Sequence, residues 1–212
     1  MSARLRVGVP AALFGLPPAT SVGRIWSRAV NLLDARGDMS VVEVGERRRF
    51  RATPRVDVWL TDGHQGPLDV PQPVVAHLHE ASWDDPALRP LFEPAFLDHY
   101  EGPSAKAAAA AARIITVSES SREQITRAYG VPAEHVLVAH NGLDHSIYNP
   151  AATGGAELVA DRGSVAGLPY VLFVSVVHPR KNLSALRDAL TGLAKRGLPH
   201  ALVLVAGPAA DR

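Results

Sequence analysis

The sequence predicts an α/β chain built on a doubly wound, mostly parallel sheet. Three observations carry this. Short apolar runs alternate with longer segments whose apolar residues recur at helical spacing, the pattern of strand–helix repeats. Hydrophobic residues make up 47% of the 212 residues, enough to bury a core. A weakly patterned Gly- and Ala-rich stretch from Ala151 to Pro169 separates a long first block of repeats from a short second one.

Leu5 to Val9 is the first strand. Ser21 to Ala35 is the first helix, with Ile25, Ala29, Leu32 and Leu33 on one face, Ser21 as a candidate cap and Gly37 beyond its end. "SVVEV" and "VDVWL" are strand-like, and Asp62-Gly63 marks the turn after the second. Val74 to Leu78 is the next strand. Pro86 to Tyr100 is helical but interrupted at Pro90 and Pro94, and Ser104 is placed to cap a separate alanine-rich helix from Ala105 to Ala112. Arg113 to Val117 is a strand. Ser120 and Glu123 have capping-box spacing for a helix that stops near Gly130. "HVLVAHNGLD" is a strand running into an Asn-Gly turn. Tyr170 opens another strand, Asn182 to Lys195 is a helix, and "ALVLVAG" is the last strand. The expected organisation is a first domain over residues 1–145, a linker over 146–168 and an unfinished β-α-β unit over 169–212. Two parallel strands and one helix cannot cover both faces of a sheet.

The charge balance excludes several functions. Twenty-two basic residues against 21 acidic ones leave a net charge of +1, and the longest basic run is Arg47-Arg48-Arg49, so no nucleic-acid partner is expected. The absence of cysteine excludes disulfides, thiol catalysis and zinc–thiolate centres, and makes the cytoplasm the expected compartment. Arg4 and Arg6 precede an apolar stretch that loosely imitates a signal peptide. Pro10, Gly15, Pro17 and Pro18 interrupt it, and it is too short to span a bilayer.

Chemistry-bearing residues fall at strand ends, where open α/β sheets place ligands. In "VLFVSVVHPRKNLSALRDAL", Arg180 and Lys181 stand where strand gives way to helix. A helix N-terminus already carries partial positive charge, so cations there are unfavourable unless an anion compensates. Two cations simply solvated at the surface are the plainer alternative. In "VVAHLHE", His77 and His79 share a strand face, the spacing of a two-histidine metal motif or of core histidines. Two ligands do not complete a site and no third is picked out, so no metal centre is expected. Gly23 opens the first helix directly after the first strand, either for close backbone approach to a ligand or as an ordinary loop glycine. Ser118, Ser120 and Ser121 lack a nucleophile elbow and suit helix capping, while Asn141-Gly142 and Asp144 suit a turn.

The stretches "ARIITVSESSREQITRAYGVPAEHVLVAHNGLDHSIYNP" and "YVLFVSVVHPRKNLSALRDAL" together resemble the retaining nucleotide-sugar glycosyltransferases of the family 4 type, which have the GT-B fold. "PVVAHLHE" and "SVGR" match more loosely. The resemblance implies two facing Rossmann-like domains, the first holding the acceptor and the second the nucleotide sugar. Arg180 and Lys181 match the pair that grips the donor diphosphate. Gly23 lies in the loop near the donor phosphates, and His79 matches a strand-end histidine at the donor sugar. Asn141, Gly142 and Asp144 match the hinge between domains. The implied donor is a GDP- or UDP-linked sugar, with mannose favoured by the "PRKNL" form, and no metal or other cofactor is implied. The implied acceptor is a glycan or a lipid-linked glycan, reached in the cytoplasm or peripherally at the inner membrane face. Ser175 and Glu80 depart from the family's usual Gly and Asp. The family's Glu-x7-Glu element finds no counterpart before Arg212, so the chain is expected to be a fragment, inactive alone. The alternative is a non-catalytic half that binds a glycan, a second copy or a partner chain completing the donor domain.

Overall fold

The computed structural model describes residues 4–17, 20–45, 55–151, 153, 155, 157 and 168–206. The Arg47–Arg49 cluster, most of the expected linker and the residues from Gly207 onward lie outside these. The chain divides into two compact units, Met1–Asn141 and Gly142–Arg212.

The first unit holds six strands: β1 (Leu5–Pro10), β2 (Met39–Val44), β3 (Val58–Asp62), β4 (Val74–His77), β5 (Arg113–Thr116) and β6 (Val136–Val138). Their spatial order is β2-β1-β3-β4-β5-β6, and every pairing is parallel. The order reverses between β1 and β3, so the switch point of this doubly wound sheet lies at their carboxyl ends. Among its described residues this unit has the α-helices α1 (Ala11–Phe14), α2 (Ser21–Asp34), α3 (Pro94–Ala110) and α4 (Glu119–Tyr129). Apolar side chains pack in two clusters. One gathers Val7, Val9, Leu13, Trp26 and Val30 around β1 and α2, and the other centres on Leu78, Trp83, Ile114 and Ile125.

Four local expectations are corrected. The buried face of α2 is Gly23, Trp26 and Val30, while Leu32 points to solvent, because burying the Trp26 ring sets the helix's rotation. Thr20, not Ser21, caps α2: its hydroxyl accepts the Gly23 N–H at 3.0 Å. The separate helices on either side of Gly102-Pro103 are one continuous α3 with Pro103 inside it. Ser104 is therefore mid-helix and wholly buried rather than a cap. Ser118 caps α4, accepting the Ser121 N–H at 3.0 Å, in place of the Ser120–Glu123 box. Gly130 ends that helix in the left-handed region at φ 65°, as its position implies.

The second unit contains β7 (Tyr170–Val174), α5 (Leu183–Lys195) and β8 (Ala201–Val205), with β7 and β8 parallel and in register from Tyr170↔Ala201 to Val174↔Val205. Among the described residues no helix is long and apolar enough to cross a membrane.

Candidate functional site

The carboxyl ends of β3 and β4 bring three histidines together. Parallel pairing sets Asp62 beside His77, so the residues that follow, Gly63-His64 and Leu78-His79, leave the sheet side by side. The His77 and His79 rings meet edge-on with centroids 4.4 Å apart, and the His64 ring stacks near His79 at 6.2 Å. His77 also meets Trp26 of α2 edge-on at 5.8 Å. Trp26 lies one turn after Gly23, so the glycine's helix leads straight to the histidine pair.

His64 was not singled out by its sequence context, yet it is the best-bonded of the three. Its Nε2 accepts the His79 backbone N–H at 3.1 Å, and its Nδ1 lies 2.8 Å from the Ser104 hydroxyl. An accepting Nε2 carries no proton, so the ring proton sits on Nδ1 and is donated to Ser104. The His64 backbone N–H is held by Asp62 Oδ1 at 3.0 Å. By contrast, His77 Nδ1, His79 Nε2 and Trp26 Nε1 are buried with no hydrogen-bond partner.

Burial sets the charge state of the cluster. It pulls the His77 pKa down to about 3 and the His64 pKa down to about 4, with repulsion from His79 adding to both. Burial also lowers His79, against the opposing pull of Asp62 and Glu80. The Asp62 carboxyl is raised by burial, opposed by its bond from the His64 N–H and by His79. The histidines are therefore neutral near pH 7. They can accept or donate hydrogen bonds but carry no positive charge. Among the described residues, no three His, Cys, Asp or Glu side chains are grouped to hold a metal ion.

Gly23 has a structural cause within the chain. A Cβ there would lie 2.1 Å from the Pro17 carbonyl oxygen, so only glycine lets the β1–α2 connection fold back over the start of α2. Asn141 and Gly142 straddle the division between the two units, and a Cβ on Gly142 would meet nothing within 4 Å. Asp144 organises the turn that follows: its Oδ1 accepts from the Ser146 N–H at 3.0 Å and the Ser146 hydroxyl at 2.6 Å.

In the second unit, Arg180 and Lys181 belong to a 3₁₀ turn, Pro179–Lys181, rather than to the first turn of α5. The helix is capped by Asn182, in the left-handed region at φ 49° and ψ 42°, whose side chain accepts from the Ala185 N–H. The expected juxtaposition of two cations with helical N–H groups is thus displaced by a residue: the cations precede the cap. His178 Nδ1 accepts the Arg180 N–H at 3.2 Å and shapes the turn, while Lys181 is exposed. Gly23 and His79 lie in the first unit and Arg180 and Lys181 in the second.

Residues 47–147 match the family model for Glycosyltransferase Family 4. The matched segment carries His64, His77, His79 and Ser104. No curated protein sequence matches the chain significantly. Solved structures that share its fold include the two that follow. The S. aureus MnaA–UDP co-structure is 11% identical with a TM-score of 0.56, covering 97% of this chain and 63% of that one. The Anabaena Alr3699/HepE structure in complex with UDP and glucose is 15% identical with a TM-score of 0.55, covering 97% and 62%. The chain thus spans under two thirds of the length of either structure, and its fold is α/β and Rossmann-like, as expected.

Proposed function

We propose that the chain serves a retaining glycosyltransferase. It would move a sugar, with mannose the first candidate, from a GDP- or UDP-linked donor to a glycan or lipid-linked acceptor. The observation that carries this reading is the placing of His79. It stands at the carboxyl edge of a parallel sheet, with a buried Nε2 that has no protein partner, inside a segment matching a glycosyltransferase family model. The two structures of like fold, both in complex with UDP, support a nucleotide ligand.

In this reading each residue has a task. The β1–α2 connection, which Gly23 allows to fold back over the start of α2, lies near the donor phosphates. A neutral His79 hydrogen-bonds the donor sugar. Arg180 and Lys181 hold the diphosphate and stabilise the negative charge that grows on it as the sugar–phosphate bond breaks. With fixed cations in that role, the reaction calls on no metal ion. The leaving phosphate takes the acceptor's proton on the same face of the sugar, so configuration is retained. Asn141, Gly142 and Asp144 serve as the hinge between an acceptor domain and a donor domain.

The test is turnover of UDP-glucose, UDP-N-acetylglucosamine and GDP-mannose, alongside UDP and GDP binding followed by NMR. Lys181→Ala is expected to keep its fold and lose roughly 100-fold in turnover, or the nucleotide-induced shifts if only binding is seen. Undiminished activity and binding would remove the diphosphate role. A second reading, a half that docks with another chain or a second copy, is favoured by the exposure of Leu172, Val174, Leu204 and Val205 in the second unit. Light scattering decides it, since a docking half runs above its 22.6 kDa chain mass.

A further inference from the structure

We propose that His64, locked by Ser104, is a positioning residue that fixes where His79 stands. This rests on the reading of His79 as the donor-sugar contact. Ladder bonding on β4 continues one residue beyond the strand, where Leu78 N–H reaches the Ile115 carbonyl at 2.9 Å. At His79 the sheet offers no further backbone acceptor, and the imidazole of His64 takes that place at 3.1 Å. The His79 carbonyl in turn lies 3.5 Å from the Thr116 hydroxyl of β5. The histidine's main chain is therefore held from β3 on one side and approached from β5 on the other.

His64 suits this task. Both ring nitrogens are committed, one to His79 and one to Ser104, so it has no free site for substrate or proton transfer. Its ring is buried, and Ser104, at 0% exposure, sits on the inner face of α3. The Asp62 carboxylate fixes the backbone on which the ring turns. The His79 N–H can bond only the tautomer with Nε2 unprotonated, and the Ser104 hydroxyl sustains that tautomer by accepting the Nδ1 proton. The other tautomer would set two N–H donors against each other in a buried site, which is costly.

The experiment follows amide exchange at His79 by NMR on the whole chain, in His64→Leu, His64→Gln and Ser104→Ala. Loss of the bond in His64→Leu and Ser104→Ala should speed exchange at His79 roughly tenfold, the equivalent of one ordinary net hydrogen bond, while β1 amides keep their protection. His64→Gln, which supplies a carbonyl acceptor, should restore much of that protection. Unchanged exchange in both loss variants overturns the proposal, as does equal acceleration throughout the sheet, which would make His64 only a packing residue. If His64→Leu does not fold, Ser104→Ala against His64→Gln gives the same decision. UDP-glucose and GDP-mannose then serve as probes of the His79 ring. Wild-type shifts that vanish in Ser104→Ala support positioning for the ligand. If neither probe moves the His79 ring in the wild type, the donor reading of His79 fails, while exchange still decides whether His64 holds it.

Discussion

Burial at the β3 and β4 ends makes the protein's stability depend on pH through particular residues. His64 and His77 have pKa values of about 4 and about 3, against an ordinary 6.5 for histidine. Below pH 6.5 the unfolded chain takes up protons at these positions that the folded chain refuses. Their contribution is therefore complete above pH 6.5 and declines as pH falls through 4 toward 3. The raised Asp62 works the other way, favouring the folded state as it protonates in acid. The urea midpoint should fall between pH 6.5 and pH 4. His77→Phe, which keeps a ring against Trp26, should flatten that fall. An unaltered slope would mean His77 is charged or exposed in solution. Glycine positions give a sharper contrast. Gly23→Ala drives a methyl into the Pro17 carbonyl, and overpacking against backbone costs about 1–3 kcal/mol. Gly142→Ala meets nothing, so its melting temperature should match the wild type. His79 could be picked out because it ends an apolar run, and Gly23 because it opens a helical pattern after the first strand. His64 could not, since what matters is the cross-strand register Asp62↔His77, and single-strand periodicity contains no pairing. The available signal was Asp62-Gly63-His64 lying the same distance past its strand as His79 past His77.

The strands and most helices were legible because their apolar periods differ, two against 3.6. Caps were less so, since several serines and threonines compete for each helix start and the winner depends on where the chain enters. Ser118 and Ser120 both lie at the start of α4, but Ser120 is already in its first turn, whereas Ser118 precedes it with an extended backbone (φ −157°, ψ 161°) that turns its hydroxyl onto the free N–H groups. Ser118→Ala should then cost about 1 kcal/mol by chemical denaturation, and Ser120→Ala should be nearly silent. The reverse result would restore the Ser120–Glu123 box. Ser104 misled for a related reason. A serine after Gly102-Pro103 looks like a cap, but packing of Ala107 and Ala108 against the sheet carries α3 through Pro103, at a local cost of about 3 kcal/mol. The same burial turns Ser104 inward onto His64.

At the scale of the whole molecule the two units differ in how much they bury. Among the described residues every buried apolar side chain falls between Val7 and Val136, and none falls in Gly142–Arg212. Strands of parallel sheets are ordinarily covered on both faces and read as continuous apolar runs, as "YVLFV" of β7 does. Yet Leu172 is 50% and Val174 67% exposed, alternate residues on one face of that strand. Apolar area left in water contributes nothing to folding and favours association at about 25 cal/mol per Å² once covered. Two consequences follow for the second unit. Amides of β7, β8 and α5 should exchange through openings well below the global unfolding free energy, while those of β1 and β5 exchange only with it. The chain should also associate with rising concentration, and Val174→Lys, by placing a charge on the open face, should reduce that association in sedimentation without speeding exchange in β1. Equal protection in both units, with a monomer at every concentration, would mean that the open face is covered in solution.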